Sequence, residues 1–107
     1  MSEDKILQIL GLAMRAGKLV TGEEMVLNSI RSGKSFLVIM AKDASQNTSK
    51  KFHDKCKSYQ VELVQMFDRY QLGNAIGKGE RVIIGIQDLG FTRKIRELIV
   101  KNLEVSE

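Results

Sequence analysis

Three Gly-Lys dipeptides punctuate this chain. Gly17-Lys18, Gly33-Lys34 and Gly77-Lys78 each close a stretch of helical apolar spacing, and strand-like residues follow immediately or within a few positions: Leu19-Val20, Phe36 to Ala41, and Arg81 to Gln87. Glycine just past a helix supplies the left-handed backbone that ends it, and the lysine faces the negative end of the helix dipole. Helix and strand therefore alternate, which means an α/β sandwich, a sheet with helices on both faces.

Apolar spacing locates the pieces. A first helix runs from about Asp4 to Ala16 with Ile6, Leu10, Ala13 and Met14 on one face. Thr21 then caps a helix to Ser32 that buries Val26, Leu27 and Ile30. After a strand over 36–41, a helix spans Gln46 to Tyr59; its apolar stripe is Phe52, Cys56 and Tyr59, and its outer face carries Lys50, Lys51, Asp54, Lys55 and Lys57. A strand over 61–65, a short helix from Asp68 to Ile76 and a strand over 81–87 come next. Phe91, Ile95, Leu98, Ile99 and Leu103 line a final helix.

The 107 residues contain no proline, low-complexity tract or composition break, so residues 1–107 form a single domain. A chain of this length buries roughly 60–70% of its unfolded surface, enough for one core. The longest apolar run, Phe36 to Ala41, has six residues and suits a buried strand, not a membrane span. One cysteine, Cys56, cannot form an internal bridge, and no basic-then-apolar leader opens the chain, so a cytoplasmic location is expected.

Gly33-Lys34-Ser35 also matches the tail of a phosphate-binding loop. Such a loop needs a second glycine five residues earlier, where this chain has Asn28, and it leads from a strand into a helix, whereas Gly33 ends a helix and precedes a strand. Nucleotide binding is not expected there.

Catalysis finds no foothold either. His53 and Cys56 stand three apart, but the chain has one histidine and one cysteine, and a zinc site would need two carboxylates to complete it. A small buried thiol beside a surface histidine accounts for the pair. Asp43, Asp68 and Asp88 each follow a strand and suit helix capping. No metal, cofactor or enzymatic activity is expected.

The net charge is +4, unevenly placed. Residues 31–57 carry seven Lys/Arg against two Asp, and residues 81–101 carry five against two acidic residues. A polyanionic partner suits this distribution, because neutralised phosphates release counterions. Loops at the C-terminal ends of strands are the usual binding edge of an α/β sheet. Three such segments here are small, polar and rich in glycine or caps: Thr21 to Glu24, Lys42 to Thr48, and Asp88-Leu89-Gly90. At Gly22 the missing side chain allows another backbone to approach a helix start with free N–H groups. Glu23 and Glu24 suit the first turn of a helix and can accept from base amino groups.

The stretches "VTGEEMVLNSIRSGKSFLVIMAKDAS" and "LGNAIGKGERVIIGI", with their spacing, resemble the kink-turn RNA-binding superfamily of archaeal and eukaryotic ribosomal proteins, and more closely its bacterial, YlxQ-type members. The resemblance covers about residues 4–100. It implies a three-layer α-β-α sandwich around a mixed four-stranded sheet, no catalysis, and a structured, sharply bent RNA as partner, whether ribosomal, a messenger leader or other. Ribosomal or other ribonucleoprotein components are further partners it implies, and a membrane is not. The implied contact by the helix start falls on Gly22, Glu23, Glu24, Met25 and Asn28, with Ser45 nearby. A second, stacking contact falls on Lys78, Gly79, Glu80, Arg81 and Val82, and Arg69 matches a lysine-bearing position near the RNA backbone. The superfamily's helix start has Asn-Glu and a later Lys where this chain has Glu24-Met25 and Asn28; Lys78 and Arg81 supply cations in their stead. A protein-interaction module is the rival from another class, with the acidic helix start as its docking surface.

Overall fold

A computed structural model describes the backbone of residues 2–106 and the side chains of residues 3–101. Nine elements follow one another: α1 (Ser2–Arg15), β1 (Leu19–Thr21), α2 (Glu23–Arg31), β2 (Leu37–Met40), α3 (Gln46–Tyr59), β3 (Glu62–Gln65), α4 (Arg69–Ala75), β4 (Ile83–Ile86) and α5 (Leu89–Ser106). The strands form one mixed sheet in the order β1-β4-β2-β3, with β4 antiparallel to both β1 and β2, and β3 parallel to β2.

The two central strands, β2 and β4, are buried throughout, and alternation along them divides the core into two layers. Leu37 and Ile39 of β2, with Ile84 and Ile86 of β4, face a cluster built from Ile6, Leu10 and Ala13 of α1, Leu72 of α4, and Ile95 and Leu98 of α5. Val38, Met40 and Ile83 face the opposite cluster, which holds Val26 and Ile30 of α2 and Phe52 and Cys56 of α3. The result is a three-layer α-β-α sandwich around a four-stranded mixed sheet.

The Gly-Lys repeats end their helices as the spacing predicts. Gly17, Gly33 and Gly77 have φ of 69°, 73° and 71°. In each case the lysine contributes its backbone: the amides of Lys18, Lys34 and Lys78 reach back to the carbonyls of Ala13, Ser29 and Gly73 at 2.9 Å. This is the Schellman arrangement, which satisfies carbonyls the helix end would otherwise leave orphaned. Helix α3 ends the same way without a glycine, Gln60 taking the left-handed place at φ 57° while the amide of Val61 reaches the carbonyl of Cys56.

Some expectations need correction. Thr21 does not cap α2. It is the last residue of β1, paired with Ile84, and its hydroxyl is taken by Arg81 from sixty residues further on. The α3 stripe stops at Cys56, because Tyr59 lies in the last turn and is 47% exposed, while Lys55 of the expected outer face is half-buried. Phe36 precedes β2 and is partly exposed. The side chain of Leu103 lies outside the described residues.

Candidate functional site

Strand direction decides which loops meet. Because β1, β2 and β3 all run against β4, the C-terminal ends of the first three share one edge of the sheet with the N-terminal end of β4. Gly22, the 41–45 loop, the 66–68 turn and the 77–82 loop therefore converge there. Asp88-Leu89-Gly90 does not join them. It follows the antiparallel strand β4 and lies at the opposite edge, where the carboxylate of Asp88 accepts from the amide of Phe91 as an α5 cap. Gly33-Lys34-Ser35 is also at that far edge, remote from Gly22.

Gly22 is the pivot of the converging loops. Its φ of 91° and ψ of 149° belong to a backbone region that L residues rarely adopt, and a Cβ placed on it would meet nothing within 4 Å. Its amide donates to the carbonyl of Ile83 at 3.3 Å, which fixes the start of α2 against β4. No side chain caps α2, and the first intrahelical bond runs from the amide of Val26 to the carbonyl of Gly22. Among the described residues the N–H groups of Glu23, Glu24 and Met25 have no partner, which leaves them to whatever binds from outside. Glu24, Met25 and Asn28 are exposed, Met25 at 57%.

A circuit of polar contacts frames this helix start. Ser45 caps α3, its hydroxyl accepting from the amide of Thr48 at 3.2 Å and donating to the Thr48 hydroxyl at 3.1 Å. Thr48 in turn donates to one carboxylate oxygen of Glu23 at 3.0 Å, and Lys51 donates to the other at 2.8 Å. The Lys51 hydrogen bond holds the Glu23 carboxyl below the usual carboxylate range, against the opposing effect of burial and with further help from Thr48. Glu23 is thus matched by a cation of its own chain, and it presents less uncompensated negative charge at the edge than the sequence suggests.

A second, separate set of polar contacts centres on Arg69. Asp43 accepts from both the backbone amide and Nε of Arg69, at 3.0 and 3.1 Å, and its carbonyl accepts from Nη2 at 2.7 Å. Glu80 lies 3.5 Å from Nη1. These partners, the hydrogen bond to Asp43 first, hold the guanidinium protonated even more firmly than usual. Asp43 also satisfies the first amide of α4, whose remaining N-terminal groups are covered by the Asp68–Gln71 capping box.

The 77–82 loop folds back onto α4 through a glycine. A Cβ on Gly73 would stand 1.7 Å from the carbonyl oxygen of Gly79, so only glycine lets the two backbones pack this closely. The loop is then tied to its neighbours: the amide of Arg81 donates to the carbonyl of Arg69 at 3.0 Å, Nε of Arg81 to the Thr21 hydroxyl at 3.0 Å, and the amide of Ala41 to the carbonyl of Val82 at 2.8 Å. Lys78, Gly79 and Glu80 are exposed, whereas Arg81 is half-buried and Val82 packs against the core.

Of the twelve residues that the resemblance assigns to the contact, eleven lie on or beside this one edge, while Asn28 stands further along α2, toward Arg31. Sequence reasoning missed Thr48 and Lys51, which orient Glu23, Asp43 as the partner of Arg69, and Thr21 as the partner of Arg81. These pairs are separated by 25 to 60 residues, and no local pattern announces them.

Among the described residues no group of three or more His, Cys, Asp or Glu side chains is placed to hold a metal ion, and no helix is long and apolar enough to cross a membrane. Cys56 is buried in the α2–α3 layer, and burial pushes its thiol up to about 11, while His53, three residues earlier in α3, is exposed.

Residues 4–95 match the sequence profile of the ribosomal protein L7Ae/L30e/S12e/Gadd45 family. The chain is similar to the RNA-binding protein YlxQ of Enterococcus faecium, 45% identical over 98 residues that cover 92% of this chain and 94% of that protein. A solved structure of a protein with unknown function from Bacillus halodurans is 50% identical, with a TM-score of 0.86 over 89% of this chain and 96% of the other. The Giardia lamblia 15.5kD RNA binding protein matches with a TM-score of 0.80 over 94% of this chain and 86% of that one; at 19% identity this likeness speaks for the fold alone.

Proposed function

Because the chain belongs to the ribosomal protein L7Ae/L30e/S12e/Gadd45 family, we propose that it is a non-catalytic RNA-binding protein whose Gly22 edge holds a sharply bent, structured RNA of kink-turn type within a ribonucleoprotein. The observation that carries this is the uncapped start of α2, with three free amides and no side chain at Gly22, set at the same edge as the exposed Lys78–Glu80 loop.

A helix N-terminus with unpartnered N–H groups attracts phosphate through hydrogen bonds and the helix dipole. Gly22 leaves room for the RNA backbone to come close. One turn along, Asn28 can donate and accept at a base edge, and Glu24 can accept from a base amino group. Glu23 is held aside by Lys51 and Thr48, which removes part of the repulsion a phosphate would meet. Lys78, which is exposed, supplies a cation on the second side. A bent internal loop is the RNA shape that offers a widened groove to the helix start and backbone to the loop beside it; a straight A-form duplex offers a deep, narrow groove that a helix cannot enter.

Titration against a kink-turn duplex and a plain duplex of equal length, at one fixed salt concentration, tests the proposal. Each charged hydrogen bond to a free amide is worth about 1.5–3 kcal/mol, so loss of even one should cost about tenfold or more in affinity. Equal affinity for both duplexes would leave only non-specific electrostatics and defeat the proposal.

A further inference from the structure

The edge opposite Gly22 carries a second surface of different chemistry. Phe36, Tyr59 and Leu89 are 37%, 47% and 45% exposed, and all three line one cleft of about 340 Å³ at the far ends of β2 and β3. Only seven large apolar side chains stand this exposed among the described residues, so three in one cleft is a concentration rather than scatter. Ile30 and Val61 complete the apolar lining. Arg96 borders this cleft and also a neighbouring one along α5 that contains Val100, 53% exposed, so the two form a single track.

The rim of the track is basic. Arg31 and Arg96 border the first cleft, and Arg93 and Lys101 the second. Two carboxylates oppose them: Glu62, bonded to Arg96 at 2.6 Å, and Glu97, which lies 3.9 Å from Lys94. Arg31, Arg93 and Lys101 have no salt-bridge partner among the described residues. Apolar anchors flanked by cations complement an amphipathic helix with acidic flanks. Phe36 and Tyr59 have flat faces on which a base can stack, but Val61, Leu89 and Val100 are aliphatic and a phosphate backbone would leave them exposed to water, which favours such a segment over RNA.

We propose that this track docks an acidic amphipathic helix of a protein partner, at the end of the molecule remote from Gly22. Protein and RNA could then be held at once without sharing a residue. The inference does not depend on what binds at Gly22.

Benzoylphenylalanine placed at Tyr59, and separately at Val100, in the full-length chain would be photoactivated in cells and the crosslinked peptides sequenced. The expected product at both positions is an acidic segment with apolar residues at helical spacing. A synthetic copy of that segment should bind the purified protein, with affinity lowered at least tenfold by combining Leu89→Ser with Arg31→Ser, and with no change in RNA affinity. Both substitutions are at exposed positions, and a thermal melt would confirm that the variant is folded. Crosslinks to RNA would make the track a second nucleic-acid surface; crosslinks to another copy of the chain would make it a self-association face. Either result, no crosslink at all, or a synthetic segment indifferent to the double substitution would overturn the proposal.

Discussion

Replacing Gly73 with alanine sets a local rule against a tertiary one. Gly73 lies inside α4, where alanine is ordinarily preferred to glycine by about 0.5–1 kcal/mol. In the folded protein, however, the new Cβ would lie 1.7 Å from the carbonyl oxygen of Gly79, 2.6 Å from its carbonyl carbon and 2.9 Å from Cα of Glu80. All three are backbone atoms, so no side-chain rotation relieves the clash. The loop would have to retreat by roughly 1.7 Å to reach the shortest ordinary contact of 3.4 Å. That retreat breaks the bond from the amide of Lys78 to the carbonyl of Gly73 and strains the one from Arg81 to Arg69. Overpacking of this kind costs about 1–3 kcal/mol and a lost backbone bond about 0.5–1.5 kcal/mol, which together exceed the propensity gain. The expected net loss is about 1–3 kcal/mol, or a fall in Tm of roughly 5–20 °C for a domain of this size. Gly79→Ala is the matched control, because a Cβ there meets nothing within 4 Å. Thermal melts of the three proteins decide the matter: a Gly73→Ala protein that melts at or above the parent temperature would refute the reasoning.

Gln60→Gly should act in the opposite sense, relieving an L residue at φ 57° and raising stability by about 0.5–1 kcal/mol, read as a higher urea midpoint at unchanged slope. Lys51→Met should let the Glu23 carboxyl titrate closer to its ordinary range, followed by NMR of the side-chain carboxyl. Because the folded-state value is depressed, Glu23 contributes stability above its unfolded value and loses it as pH falls through the folded one, so parent and variant should converge in acid; a pH-independent difference would count against this. Lys78→Ala should lower the magnitude of the salt slope of RNA binding by about one phosphate contact, and an unchanged slope would remove that side chain from the interface.

What was legible in the sequence is what short-range chemistry dictates. The three Gly-Lys helix ends were readable because a Schellman turn involves only about six consecutive residues, and β2 was readable because a fully buried strand is a continuous apolar run. The cap expected of Thr21 failed for the converse reason: Arg81, distant in sequence, claimed its hydroxyl, and Gly22 took the cap position with a backbone geometry that no neighbouring residue signals. Tyr59 fits the helical stripe by spacing, yet α3 runs past the edge of the core before it ends. Asp88-Leu89-Gly90 followed a strand like the other loops, but strand direction is a property of the whole sheet, and β4 runs the other way. The edge residues themselves were recognised through the resemblance of whole segments; the partners that hold Glu23 and Arg69 in place were visible only in three dimensions.

The central claim is that the open start of α2 is the RNA-reading surface. Amide chemical-shift mapping of the labelled protein during addition of a kink-turn duplex addresses it most directly. The account predicts the largest changes at Gly22, Glu23, Glu24 and Met25, a second set over 78–82, and none at Gly33-Lys34-Ser35 on the far edge. Saturable RNA binding with the Gly22–Met25 amides unmoved would contradict it.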